Sequence, residues 1–244
     1  MSAIPIDVLQ EILEHVRKAD LATLCRVNKT FCSCSQNVLY REIGCGVADV
    51  IRTLAQSTDL ARRVRSFTNR GSSIGLATAL RNMSSLRRLY LSNISGDASI
   101  LDGCTFKLCS FTSSFPYTKP LQQFLNNQSS ITHLTFLWGS EPIPSFDERC
   151  LPNLTRVKAH PSWLRILIPG RPVREVFMLS PLGTIDLSFF TLSATPIQKL
   201  RIHYNMLYPK PVSLLVSTFP SLVHLVVYVW DVNSTVRVPL CLSI

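Results

Sequence analysis

The stretch Leu86-Arg87-Arg88-Leu89-Tyr90-Leu91 decides the fold, because it spaces three apolar residues as apolar-x-x-apolar-x-apolar. This spacing recurs along the chain, with successive starts separated by 20, 25, 23, 19, 24 and 25 residues. A repeat of this length supplies one short strand and a returning helix or loop, and it buries its apolar face only by stacking on its neighbours. The pattern therefore predicts a solenoid. The triplets are Leu86/Leu89/Leu91, Phe106/Cys109/Phe111, Ile131/Leu134/Phe136, Leu154/Val157/Ala159, Val173/Val176/Met178, Ile197/Leu200/Ile202 and Leu222/Leu225/Val227.

The segments around these triplets extend the pattern. Val64 and Phe67 begin an eighth, degraded copy, and the returns at residues 73–83, 120–126 and 211–217 have helical character. The triplets and their period resemble leucine-rich repeats. Asn93 and Asn205 lie near the place of the usual ladder asparagine, but most copies lack it. The resemblance therefore implies an irregular, leucine-rich-repeat-like solenoid.

The first forty residues follow a different, helical period. Apolar residues at positions 8, 9, 12, 13 and 16 form the stripe of an amphipathic helix that starts after Pro5. Asp20 is expected to cap a second helix with Leu21, Leu24, Cys25 and Val27 on its apolar face. A third helix is predicted over residues 30–41. Three short helices bury little area, so this broad stripe must pack on a further domain or dock a partner.

The order of residues in these helices favours docking. The runs I-P-x-D-V-L-x-E-I-L-x-H-V, D-L-x-x-L-x-x-V-N-K-x-F and V-L-Y-R-E-I lie at residues 4–16, 20–31 and 38–43. They resemble the F-box, with Ile4, Asn28 and Phe31 in place of its more usual Leu, Cys and Trp. The resemblance implies docking on the Skp adaptor of an SCF ubiquitin ligase by Pro5, Val8, Leu9, Ile12, Leu13, Leu21, Leu24, Val27 and Phe31. About a third of these, most of all Leu24, Val27 and Phe31, are expected to hold the helices together instead.

These observations divide the chain into three parts. We expect an α/β protein with a three-helix F-box-like module in residues 1–45, a connecting helical segment in residues 46–63 and the solenoid in residues 64–244. The combination is similar to the large fungal class of F-box proteins with C-terminal repeat solenoids. Because residues 240–244 contain no polar capping repeat, a truncated solenoid is also an open interpretation.

The face of the strands that points away from the core is predicted to be basic. Side chains alternate along a strand, so the residues between the triplet positions share one surface. Five basic residues and one acidic residue fall on it, together with four of the five histidines. An acidic or phosphorylated protein segment would suit this surface, although solvated strand positions are often basic without binding anything. The candidate substrate-binding residues are Arg88, Tyr90, His133, Arg156, Lys158, Phe177, Lys199, Arg201, His203 and Tyr228.

Composition excludes several function classes. The net charge of +10 suits an acidic partner, but no nucleic-acid-binding motif accompanies it, so nucleic acid is the less favoured ligand. The eight cysteines form no CxxC pair, and reduced, packed thiols without a metal site are expected. No phosphate-binding or hydrolase motif is present, so no cofactor and no catalytic role are expected. The N-terminus lacks a secretory pattern, and the expected location is intracellular, in cytoplasm or nucleus, without membrane insertion.

The resulting hypothesis is a non-catalytic adaptor. In it, the helical module docks the Skp adaptor and the cullin-based ligase core, and the repeat surface captures a target protein whose identity the sequence does not reveal. The alternative is a ligase-independent leucine-rich-repeat scaffold in which the helices only cap the exposed end of the solenoid.

Overall fold

A computed structural model describes residues 4–44, 48–94, 96–137, 147, 149–181, 187–205, 218–230 and 237–243. The chain forms two compact units, which are described separately. Unit 1 comprises Met1–Ser95 and Ile100–Lys107, and unit 2 comprises Gly96–Ser99 and Leu108–Ile244.

Unit 1 begins with three helices, α1 (Ile6–Glu14), α2 (Lys18–Leu24) and α3 (Lys29–Leu39). Leucines one turn apart on α1 point inward, and α2 and α3 close over them. Leu13 is 1% exposed and Leu21 is fully buried, and burying one such side chain contributes about 1.5–3 kcal/mol. The buried core is Leu9, Leu13, Leu21 and Cys34, with Val16, Leu24, Phe31, Val38 and Leu39 packed against it.

The helix starts of this module differ in how they are capped. Asn28 caps α3, because its side-chain oxygen accepts a hydrogen bond from the backbone N–H of Phe31 at 2.9 Å. The prediction that Asp20 caps α2 is wrong. That helix begins at Lys18, and Asp20 lies in its first turn, where it accepts a hydrogen bond from Nε of Arg17 at 2.8 Å. An acidic residue in the first turn is also favoured by the helix dipole, so sequence alone did not separate the two positions.

The connecting segment, predicted to be helical over residues 46–63, contains two helices of unit 1. Helix α4 (Ala48–Gln56) ends before Ser57, which is extended, and α5 (Thr58–Ala61) follows it. The Ser57 hydroxyl accepts a hydrogen bond from the backbone N–H of Leu60 at 3.4 Å. A serine at an N-cap has an extended backbone, and its hydroxyl bonds a backbone N–H of the following helix. The preceding helix therefore ends at that serine.

Unit 1 also contains three parallel strands, β1 (Glu42–Ile43), β2 (Ser66–Arg70) and β3 (Arg88–Ser92), paired in chain order. Helix α6 (Leu76–Asn82) returns the chain between β2 and β3 and confirms the helical return predicted for residues 73–83. The degraded eighth repeat is confirmed as β2, with Val64 and Phe67 fully buried. The short strand β1 is formed by the last two residues of the F-box-like run at residues 38–43 and was not predicted.

Unit 2 contains strands β4 (Ser110–Ser113), β5 (His133–Phe136), β6 (Arg156–Ala159), β7 (Glu175–Pro181), β8 (Lys199–Asn205) and β9 (His224–Trp230), each parallel to the next. The final strand, β10 (Arg237–Ser243), pairs antiparallel with β9. All triplet residues are buried except Cys109 and Val227, which are half-buried. The predicted repeat is therefore confirmed, whereas the antiparallel β10 lies outside its pattern.

The returns between these strands are short. They include α7 (Lys119–Asn126), α8 (Pro161–Leu167) and the 3-10 turn Ser188–Leu192. A further 3-10 turn, Ala98–Leu101, precedes β4 in the chain. Helix α7 confirms the helical return predicted for residues 120–126, and the one predicted for residues 211–217 lies outside the described residues. Trp163 of α8 is 1% exposed and stacks on Phe136 of β5, with the ring centroids 4.1 Å apart. Helix α8 is thereby held on the strands by an aromatic contact.

A buried arginine ties the irregular part of unit 2 together. Arg171 is 1% exposed, and its guanidinium donates hydrogen bonds to four backbone carbonyls from two stretches of the chain. The acceptors are the carbonyl oxygens of Cys150 (2.7 Å), Ile166 (2.8 Å), Asp147 (3.0 Å) and Pro169 (3.2 Å). The five donors of a guanidinium allow one side chain to bond several backbone carbonyls at once, and buried carbonyls are unfavourable without a partner.

Candidate functional site

The helical module of unit 1 exposes large apolar side chains. Val8 and Ile12 lie one turn apart on α1 and are 46% and 49% exposed, and Val27, after α2, is 59% exposed. Side chains four residues apart share a helix face, so Val8 and Ile12 form one patch while Leu9 and Leu13 face the core. The exposed apolar set consists of Ile4, Ile6, Val8, Ile12 and Val27.

The positions of the predicted adaptor-binding residues require corrections. Leu9, Leu13 and Leu21 are buried in the helical core and are not accessible to a partner. Leu24 and Phe31 pack against that core, as expected. Val27 was expected to be internal and is exposed. An amphipathic stripe contains both inward and outward apolar positions, and only the packing of the other two helices separates them.

The structure leaves four of the predicted docking residues accessible. They are Pro5, Val8, Ile12 and Val27. Sequence reasoning missed Ile4 and Ile6, each 59% exposed, although they flank Pro5. Their large apolar side chains on either side of Pro5, at the exposed start of the helix, were the signal that could have identified them.

Unit 2 contains a second candidate surface, a basic cleft of about 230 Å³ on the outward face of β5 to β8. Its walls come from four neighbouring parallel strands, whose register places equivalent positions side by side. The lining residues are His133, Leu134, Thr135, Arg156, Val157, Lys158, Glu175, Val176, Phe177, Lys199 and Arg201.

The strand register arranges the charges of the basic cleft in two rows. The first row runs His133, Arg156, Glu175 and Lys199 across β5 to β8. The second row, two residues further along each strand, runs Thr135, Lys158, Phe177 and Arg201. Each side chain therefore has a lateral neighbour about 4.8 Å away in backbone spacing.

Glu175 joins the cations of the first row. Its carboxylate oxygens lie 2.6 Å from Nε of Arg156 and 3.1 Å from Nζ of Lys199. Partial burial alone would raise the pKa of Glu175, but the hydrogen bonds and positive charges of Arg156 and Lys199 outweigh it. The pKa lies below its ordinary value. Glu175 is therefore ionised at neutral pH and neutralises part of the cleft.

The neighbouring histidine is neutral. Partial burial lowers the pKa of His133, and the positive charge of Arg156 lowers it further, while Glu175 opposes both. Nδ1 of His133 lies 2.8 Å from the Thr132 hydroxyl. His133 therefore adds a polar group, and no positive charge at neutral pH, to the first row.

The ring of Phe177, in the second row, is contacted by two other side chains. The Lys158 ammonium lies 4.4 Å from the centroid of its ring, and Tyr228 stacks on it with 5.7 Å between the centroids. Lys158 comes from β6 and Tyr228 from β9, so Phe177 is contacted from both neighbouring directions of the sheet. A cation held over an aromatic face loses mobility, which orients Lys158 toward the cleft.

Arg201 differs from the other cations of the basic cleft. Its side chain is exposed, and it makes no hydrogen bond or ion pair with any residue in the described ranges. All five donors of its guanidinium are therefore available to a ligand.

The remaining predicted substrate-binding residues are not brought into this cleft. Arg88 and Tyr90 belong to unit 1, where Arg88 pairs with Glu42 and Tyr90 lies 5.8 Å below the Arg70 guanidinium. Tyr228 stacks on Phe177 without lining the cleft. The side chain of His203 lies outside the described residues.

Two further properties of the described residues concern metal ions and membranes. No group of three or more His, Cys, Asp or Glu side chains in the described ranges is arranged to hold a metal ion. Within the same ranges, no helix combines the length and apolar character needed to cross a membrane.

Comparison with known proteins supports the assignment of the helical module. Residues 1–42 match the family model of the F-box domain. No curated protein matches the chain in sequence. Among solved structures, the chain is similar to an internalin (inlF) from Listeria monocytogenes, with 13% identity, a TM-score of 0.39 and coverage of 77% of this chain and 74% of that one. Residues 1–42 are thus similar to an F-box domain, and parallel strands with a leucine-rich-repeat-like period follow them in the chain.

Proposed function

We propose that this chain is the substrate-recognition subunit of an SCF-type ubiquitin ligase, docking the Skp adaptor through its helical module. The observation that carries the proposal is the exposure of Val8 and Ile12 on an F-box helix whose inward leucines already fill the core. Apolar side chains of this size that remain exposed on one helix face are suited to a partner groove.

The basic cleft is the proposed capture surface for the target. Arg156, Lys158, Lys199 and Arg201 against Glu175 give it a formal charge of +3. Charge complementarity favours an acidic or phosphorylated protein segment as the ligand. The cullin-based ligase core would supply the chemistry, and this chain would contribute proximity between the target and the ubiquitin-carrying enzyme.

The test is co-purification of the full chain with the Skp adaptor. Val8→Asp combined with Ile12→Asp places two charges in the proposed contact, so adaptor capture should fall by more than about tenfold. Ala22→Asp combined with Thr23→Asp is the matched control, because it also adds two negative charges, at exposed positions of α2. Circular dichroism should show equal helix content in all three proteins.

Undiminished adaptor capture by the double variant would reject docking through α1. Failure of the unaltered chain to bind the adaptor would reject the ligase function itself. That second result would favour the alternative, a repeat scaffold in which the helices serve only as a cap.

A further inference from the structure

We infer that unit 1 carries its own binding surface for a carboxylate-rich protein segment, formed by three arginines stacked at the entry to its strands. This arginine column consists of Arg41, Arg65 and Arg87, which immediately precede β1, β2 and β3. The basic cleft belongs to unit 2, so the inference depends neither on target capture in that cleft nor on adaptor docking.

Backbone hydrogen bonds stack the three arginines. The N–H groups of Arg65 and Ser66 donate to the carbonyl oxygen of Arg41 at 2.9 and 3.0 Å. One repeat later, the N–H groups of Arg87 and Arg88 donate to the carbonyl oxygen of Arg65, also at 2.9 and 3.0 Å. The three arginines therefore occupy equivalent places in successive repeats, with a backbone spacing of about 4.8 Å.

The side chains of the arginine column are exposed to solvent. Nη1 of Arg65 donates to the carbonyl oxygen of Ser85 at 3.3 Å, and Nη1 of Arg87 donates to that of Lys107 at 3.5 Å. A backbone carbonyl has no formal charge, so these two bonds orient the guanidiniums without neutralising them. The five donors of a guanidinium allow it to bond a carbonyl and a ligand carboxylate together.

The arginine column has an excess of positive charge. Glu14 of α1 pairs with Arg41, so the three arginines and Glu14 together have a formal charge of +2. Arg65, in the middle, forms no ion pair within the described part of the chain. Like charges at neighbouring strand positions repel each other, and a ligand with several carboxylates relieves that repulsion.

The chemistry of the ligand follows from the residue types of the column. Guanidiniums bind carboxylates in a planar, bidentate geometry, and a run of acidic residues presents several carboxylates along the column. No member of the column is aromatic, whereas surfaces that bind single-stranded nucleic acid stack bases on aromatic side chains. The column therefore suits an acidic protein segment better than a nucleic acid.

The test measures binding of two fluorescent probes to the full chain at low salt. The probes are a decapeptide of glutamate and a single-stranded DNA decamer of thymidine. Lys199→Gln combined with Arg201→Gln is the starting protein, because these changes weaken any binding of the peptide by the basic cleft. Adding Arg65→Gln and Arg87→Gln should weaken peptide binding about tenfold, since two exposed ion pairs with the ligand are lost.

Two further variants of the starting protein are the controls. Arg26→Gln combined with Arg149→Gln removes the same charge at exposed positions outside the column, and it should weaken binding by less than about twofold. Arg65→Lys combined with Arg87→Lys keeps both charges and should retain the affinity within about threefold. Circular dichroism should show equal helix content in all these proteins.

Four results would overturn the inference. They are an absence of peptide binding by the starting protein, an equal loss from the column variant and its charge control, an equal loss from the lysine and glutamine substitutions, and a DNA affinity above that of the peptide. A loss of affinity between the unaltered chain and the starting protein reports on the basic cleft alone. Because the Skp adaptor takes no part in the measurement, a failure of this inference is separable from a failure of the proposed ligase function.

Discussion

The exposed apolar set of unit 1 and the basic cleft of unit 2 differ in what makes a residue available. In α1, neighbouring positions differ in exposure, since Leu13 is buried and Ile12 is half exposed. In the basic cleft, the cations all share one face, but Glu175 engages two of them and Phe177 holds a third. Position on a helix face therefore determines which side chains of α1 are accessible, whereas in the cleft the partners of each side chain determine this.

The largest expected effect is on the helical core. Leu13→Ala should lower the free energy of unfolding by about 2–5 kcal/mol, because the side chain of Leu13 is only 1% exposed and its removal leaves a cavity in the core. Ile12→Ala, one position away, should change it by less than about 0.5 kcal/mol. Urea unfolding followed by circular dichroism compares the two. Equal destabilisation by both changes would contradict the division of α1 into a core face and an accessible face.

The second-largest expected effect is on the buried Arg171 of unit 2. Arg171→Met keeps most of the side-chain volume but removes the donors to four backbone carbonyls. Buried carbonyls without partners should lower the free energy of unfolding by roughly 3 kcal/mol. Tryptophan fluorescence during urea unfolding reports this change through buried Trp163. Arg149→Met is the control at an exposed arginine and should have no measurable effect.

The smallest expected effect is the pH dependence contributed by Glu175. Its pKa in the folded protein lies below the ordinary value of 4.5, so the unfolded chain binds more protons in this range. Its stabilising contribution is complete above pH 4.5 and is lost as the pH falls through the folded pKa. The contribution should be below about 1 kcal/mol, because its cationic partners are half exposed to solvent.

The Glu175 prediction is measured by urea unfolding between about pH 3 and pH 6. Glu175→Gln should show a flatter dependence of stability on pH than the unaltered chain. An identical slope in the two proteins would mean that the ion pairs with Arg156 and Lys199 contribute nothing to folding.

Much of the fold was predictable because it follows from local periodicity. The triplet spacing located β3 to β9, and the helical stripe located α1. Ser57 was missed as a helix boundary because a serine within a helical pattern has no visible capping role until the chain turns at it. Strand β10 was missed because its antiparallel pairing with β9 depends on a partner strand and not on the repeat.

The candidate site was predictable in part. The alternation of side chains along a strand placed Arg156, Lys158, Lys199 and Arg201 on one face, and the register confirms that they line one cleft. The same alternation did not indicate which of these four cations are already paired with other side chains. Arg88 occupies the position of its own repeat that Arg156 occupies in a later one. It lies in unit 1, however, where it pairs with Glu42.

The amino-acid sequence by itself determined the repeat period, the F-box pattern and the basic character of the strand face, because each depends on residue type and spacing along the chain. Tertiary structure decided which apolar residues of α1 remain exposed and which cations of the basic cleft are already paired. Burial and ion pairing depend on neighbours far away in the chain, such as Cys34 packed against Leu9 and Lys199 beside Glu175. A local pattern contains no information about those contacts until the helices and strands are packed.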